Sequence, residues 1–238
     1  MINIKGTDYK INIYHERRRS VRASISRDLI NIRIPQHLNR AEQEKHLLKM
    51  KSWIIKKISK NPDRFKQIPQ KEYNDGDILK VGNEDYILKL NFLSKQSSSA
   101  KIVGNILYLS ISNLLTKEKQ NEHISGLLSR CVAKRRIGEL KNKMDFLNKL
   151  HFNQKINKIF FKNNSSNWGS CSSLGNINIS TKLLFAPEDV LEYVCIHELA
   201  HLIERNHSQK FWASVGKSMP DYRNKIDWLK LNGHKCCF

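Results

Sequence analysis

The sequence predicts an α+β fold: an N-terminal β-rich region holding one helix, followed by a more helical half built on a small sheet. Two patterns carry that expectation. Through residue 112 the apolar residues come mostly in short alternating runs separated by turn signals, the signature of half-buried strands. From Lys117 onward most apolar residues recur at helical spacing, with only two strand-like runs between. The composition, 39% hydrophobic and 27% charged over 238 residues, suits a chain that buries a core and excludes a disordered tail protein.

Taken in order, Tyr9–Tyr14 alternates around Ile11 and Ile13, Val21–Ile25 alternates again, and Leu29–Ile34 ends at Pro35; these are three strands. Asn39 then caps a helix over Arg40–Lys60 whose apolar stripe is Leu47, Leu48, Met50, Trp53, Ile54 and Ile58, stopped by Asn61-Pro62. After an irregular stretch through Pro69, the turn Asn74-Asp75-Gly76-Asp77 opens strands at Ile78–Val81 and Tyr86–Leu90. The Ser-rich run Lys95–Ala100 reads as a loop or boundary, and Gly104-Asn105 as the turn of a hairpin between Ile102–Val103 and Ile106–Ile111. A long helix covers Lys117–Leu150, with strands at Ile156–Lys162 and across Trp168–Thr181. Pro187-Glu188-Asp189 starts a helix reaching about Arg205, with Asn206 as a left-handed stop; Ser208–Ser218 and Asp221–Leu231 are closing helices. No internal repeat is visible. The expected division is 1–112, including the helix 40–60, and 117–238.

Several function classes are excluded at once. No run approaches eighteen apolar residues, so no helix is expected to cross a membrane, and the charged N-terminus does not read as a signal peptide. Cys131, Cys171, Cys195, Cys236 and Cys237 are odd in number and scattered, which predicts free thiols and a cytoplasmic location. No phosphate-binding P-loop is present. The net charge of +20 is uneven: residues 1–150 hold 31 basic and 15 acidic side chains, residues 151–238 only 11 and 7. So basic a front half, with Arg17, Arg18, Arg19, Arg22 and Arg27, suits a polyanion, nucleic acid among the candidates, although compositional bias also produces such charge.

The chemistry concentrates at His197-Glu198-Leu199-Ala200-His201, an H-E-x-x-H on a predicted helix. A chain with nine His reaches this pattern by chance roughly 0.02 times. Residues four apart stand one turn above each other, ~6 Å along the axis, so both imidazoles reach one ion. Zinc accepts neutral imidazole nitrogens and leaves a position open for water, from which Glu198 can take a proton. Three residues compete as third ligand. His207 lies just past the helix stop and turns back most simply; Glu204 is about 10 Å of rise from His197; Asp221 sits on a later helix. A metzincin would place Gly where this chain has Glu204. Cys171 has no local His partner and reads as a small buried thiol. His234, Cys236 and Cys237 read as an exposed tail rather than as a second metal site.

Beyond these residues the chain resembles a known family. Trp168-Gly169-Ser170-Cys171-Ser172-Ser173, Tyr193–Leu202, Asn206-His207-Ser208 and Phe211-Trp212 are similar to the YgjP-like family of metal-dependent hydrolases, relatives of SprT-like and small gluzincin metallopeptidases. The likeness covers nearly the whole chain, including Arg18–Ser26, Ile34-Pro35, Trp53-Ile54, Asp75-Gly76 and Val81-Gly82, and is strongest over 165–229. It implies a zincin-like catalytic domain over 117–238, zinc held by His197, His201 and His207, and Glu198 as catalytic base. It also implies a hydrolase acting on a peptide or, alternatively, on a phosphate-bearing nucleotide; a nucleic-acid-associated protein with structural zinc is a third reading. Two positions depart from the family: Asn167 where Arg is usual, and Ser180 where Asn is usual.

Overall fold

The computed structural model describes the chain except residues 5, 27–28, 61, 63–64, 66–70 and 165, and the side chain of Ser26. It divides into two compact units, Met1–Pro69 and Gln70–Phe238. Asn61, Arg27 and the stretch through Pro69, apart from Pro62 and Phe65, lie outside the described residues.

In the first unit, β1 (Ile2–Ile4), β2 (Thr7–Glu16), β3 (Arg22–Ser26) and β4 (Leu29–Pro35) form a sheet in the order β1-β2-β4-β3, followed by α1 (Arg40–Lys60). The strands β2 and β4 run parallel; the other pairs are antiparallel. Alternation along β4 buries Ile30, Ile32 and Ile34, and α1 covers them with Ile54 and Ile58. Asn39 accepts from the Glu42 N–H while Glu42 accepts from the Asn39 N–H, a capping box that sets the start of α1. This unit carries 17 basic and 6 acidic side chains, and within it Arg18 and Arg33 both pair with Glu16.

The second unit opens with the same arrangement. Its strands β5 (Ile78–Val81), β6 (Glu84–Leu93), β7 (Ser99–Val103) and β8 (Ile106–Ser112) take the order β5-β6-β8-β7, and α2 (Lys117–His151) follows. A shift of 77 residues converts one register into the other: Lys10↔Leu29 becomes Ile87↔Ile106, Arg22↔Arg33 becomes Ser99↔Ser110, and Ile2↔Tyr9 becomes Leu79↔Tyr86. The two helices start at Arg40 and Lys117, the same distance apart. Gln43 and Gln120 donate alike from Nε2, to the carbonyls of Leu38 and Leu115. The chain therefore contains an internal structural repeat, where the sequence shows none. Half-buried strands need only apolar residues at alternate positions, so few identities such as Tyr9/Tyr86, Ile25/Ile102 and Ile34/Ile111 survive to reveal it.

The break between units also falls away from the expected boundary at 112–117. Ile124, Leu127, Leu128 and Val132 of α2 share one core with Leu88, Leu107, Leu109 and Ile111 of the sheet, so β5–β8 belong with the helix after them. The run Lys95–Ala100, expected as a loop, already contributes Ser99 and Ala100 to β7. Farther along α2, Leu140, Met144 and Leu147 enter a second core. That core rests on a three-stranded sheet, order β10-β11-β9, made of β9 (Lys158–Lys162), β10 (Gly169–Cys171) and β11 (Asn176–Ser180). The expected single strand across Trp168–Thr181 is thus a hairpin, turning at Gly175 with φ +72°. A 3-10 turn, Thr181–Phe185, leads into α3 (Glu188–Ala200), α4 (Gln209–Ser218) and α5 (Tyr222–Asn232). The C-terminus is docked, not exposed. Phe238 packs edge-to-face on Phe185 at 4.6 Å and accepts from Ser125 through its carbonyl, and Cys236 is buried. No described helix is long and apolar enough to cross a membrane.

Candidate metal centre

The helix α3 presents the H-E-x-x-H from inside the protein. Val190, Leu191, Val194, Cys195, Ile196 and Leu199 are all buried, so it is enclosed on nearly every side rather than wet on one. It ends at Ala200, with His201 as its C-cap, well short of the expected Arg205. Leu202 and Ile203 donate to the carbonyls of Leu199 and Ala200, tightening the chain after the helix, and Asn206 is not left-handed. Ser208 then accepts from the Phe211 N–H and starts α4, with His207 immediately before the cap.

This turn brings His207 back to the helix. His197, His201 and His207 offer ligand atoms that lie within 4.8 Å of one another, and the Nε2 atoms of His197 and His207 are 3.1 Å apart. Neither competing carboxylate joins them: among the described residues the group contains only the three histidines. Asp221 instead pairs with Lys225 at 2.9 Å, and Glu204 contributes its main-chain carbonyl, 3.0 Å from His201 Nδ1. That bond leaves His201 Nε2 for an ion, and the Tyr193 hydroxyl, 3.4 Å from His197 Nδ1, does the same for His197. Phe211, fully buried, stacks on His201 at 4.6 Å and meets the other two rings edge-on. Trp212 stacks on His207 at 5.7 Å and is itself stacked on Tyr222 at 5.4 Å. Burial, followed by the two neighbouring imidazoles, lowers the His197 pKa to about 3, so the ring is held neutral, as a metal ligand must be.

Glu198 is 4% exposed, and its Oε2 has no hydrogen-bond partner among the described residues. Burial raises its pKa to about 8; a divalent ion beside it would act in the opposite sense. Three converging imidazoles, together with a buried carboxylate on the neighbouring residue that lacks a hydrogen-bond partner for Oε2 among the described residues, fit a metal with an open coordination position. The carboxyl lies against Gly169 of β10, where an added Cβ would stand 2.6 Å from Oε1 and 2.8 Å from Cγ. Gly169→Ala should therefore push the Glu198 side chain aside. We expect the metal to be retained while turnover falls on the order of 10²-fold, the cost of misplacing a catalytic group by about 1 Å; metal content and kcat measured on the same preparation check this.

The other sequence candidates find structural roles. Cys171 is half-buried on β10, and burial, then the Glu198 charge, pushes its thiol up to about 11, unsuited to a nucleophile. His234, Cys236 and Cys237 form no metal-ligating group among the described residues. Ser180 is buried and accepts from the Lys182 N–H, and Asn167 donates from Nδ2 to the Gly169 carbonyl at 2.8 Å. Tyr193 and Gly169 stand in the family-like motifs of the sequence, which assign them no role. Tyr193 stands one turn before His197 and was open to helical-spacing logic, whereas the role of Gly169 depends on how β10 meets α3.

The sequence matches the family described as YgjP-like, metallopeptidase domain, over residues 19–232. No curated protein matches it. Among solved structures, the metallopeptidase zymogen abylysin of Pyrococcus abyssi is 26% identical over 38% of this chain and 93% of its own, with a TM-score of 0.36. The metallopeptidase zymogen jannalysin of Methanocaldococcus jannaschii is 22% identical over 37% of this chain and 92% of its own, with a TM-score of 0.31.

Proposed function

The chain belongs to the YgjP-like family of metallopeptidase domains, and from that premise we propose that it is a zinc peptidase centred on His197, His201 and His207, with Glu198 as general base. The observation that carries this reading is the convergence of three imidazoles, with the buried Glu198, whose Oε2 has no partner among the described residues, adjacent to His197 in the chain. An all-nitrogen donor set suits zinc, which when bound supplies an electrophile for the scissile carbonyl and lowers the pKa of a water to about 7. The protein's own groups do the rest. Tyr193 and the Glu204 carbonyl orient His197 and His201, Glu198 accepts the proton of the attacking water, and the same carboxyl returns it to the departing amine.

A peptide has a place to lie. Ser180 donates to Trp168 and Ser172 donates to Asn176 across the hairpin, so antiparallel alternation turns the main-chain groups of Gly169 and Cys171 towards the free edge of β10. An extended substrate can add to that edge as a further strand, next to Glu198. The test is a parallel turnover assay of the purified, zinc-loaded protein on an unfolded protein and on nucleoside triphosphates. Cleavage of the polypeptide alone is expected; release of phosphate or pyrophosphate with no polypeptide cleavage would replace this reading with nucleotide hydrolysis.

A further inference from the structure

An arginine stands beside the three histidines and the edge strand β10. Arg205 lies in the loop between His201 and His207, and its exposed guanidinium donates from Nη2 to the Ser173 carbonyl at 3.4 Å, in the turn that follows β10. Among the described residues no carboxylate lies within 4.0 Å of it. Two partly buried cations of the same unit are instead paired, Lys143 with Glu188 and Glu192, and Lys225 with Asp189 and Asp221. Gly169, at one end of β10, lies against Glu198, and past Cys171, at the other, Arg205 reaches the Ser173 carbonyl. At the strand's other end Asn167 already occupies the Gly169 carbonyl, which leaves Cys171 as the open pairing point nearest Arg205.

We propose that Arg205 forms an anion subsite: a peptide laid along β10 and paired at Cys171 is selected when it carries an Asp or Glu side chain at the Ser173 end. The inference rests on the peptidase reading above. A single long bond to an exposed carbonyl is readily exchanged for a two-point, charge-assisted pair with a carboxylate, which the planar guanidinium suits. Being solvent-exposed, that pair should be worth about fivefold in affinity rather than orders of magnitude.

The experiment uses matched fluorogenic peptides in which one Glu or Gln is moved through the positions flanking the cleavage point. With zinc-loaded protein, one position should favour Glu by about fivefold in kcat/KM, expressed in KM. Arg205→Ala should erase the preference, Arg205→Glu should invert it, and Arg205→Lys should restore part of it. A second readout is binding of the Glu peptide to the Glu198→Gln protein, which adding Arg205→Glu should weaken by at least the same factor. Cleavage without preference at any position, or a preference that survives Arg205→Glu, overturns the subsite and leaves the peptidase reading standing. Arg205-dependent binding of the Glu peptide without cleavage of any peptide upholds the subsite and overturns the peptidase reading. Absence of both overturns the two together.

Discussion

Glu198→Gln should retain the fold and the metal while losing at least about 10²-fold in kcat, within the 10²–10⁴ range of general acid–base catalysis. Gln keeps the size of the side chain but cannot accept a proton. The local setting favours a clean result. Glu198 is buried, and among the described residues its Oε2 has no hydrogen-bond partner that the substitution would remove. Removing the charge should relieve a desolvation cost, and the variant should melt no lower than the wild type. Zinc content, melting temperature and single-turnover rate on a cleaved polypeptide check the three parts. Near-native turnover would remove Glu198 from the mechanism; loss of zinc would make it a structural support of the site.

His207→Ala should be nearly as damaging by a different route. His197 and His201 come from one helix and its end, whereas His207 reaches them only because the chain tightens after Ala200 and α4 starts at Ser208. With two ligands left, zinc should be lost at micromolar protein concentrations, and activity with it, while the fold persists because Phe211 and Val215 still anchor α4 in the core. His197→Ala and His201→Ala should lose the metal in the same way. Elemental analysis showing full zinc in His207→Ala would transfer the third-ligand role to Glu204 or Asp221. The variants that keep zinc without turnover and those that lose both separate proton transfer from metal binding.

Much of this protein was determined by its sequence alone. The spacing of His197, Glu198 and His201 is a local property of one helix, and a helical turn puts the two imidazoles together in any fold that buries α3. The limits of α1 were legible for the same reason: Asn39 and Glu42 satisfy each other's N–H groups within four residues. The apolar alternation of β4 and β8 likewise announced which side chains enter the cores.

Other features depended on residues far apart in the chain, and only the tertiary structure decided them. The run Trp168–Thr181 alternates like one strand, yet it folds into a hairpin whose free edge places Gly169 on Glu198, a fit visible only when β10 meets α3. The segment of His234, Cys236 and Cys237 reads from the sequence as an exposed tail, yet Phe238 at its end packs on Phe185 and accepts from Ser125. The 77-residue repeat is carried by strand register and helix placement, which hydrogen bonding between backbones enforces and side-chain identity does not. The unit boundary moved for a related reason. A sheet belongs with the helix that covers its apolar face, and the face of β5–β8 is covered by α2, from beyond the expected division.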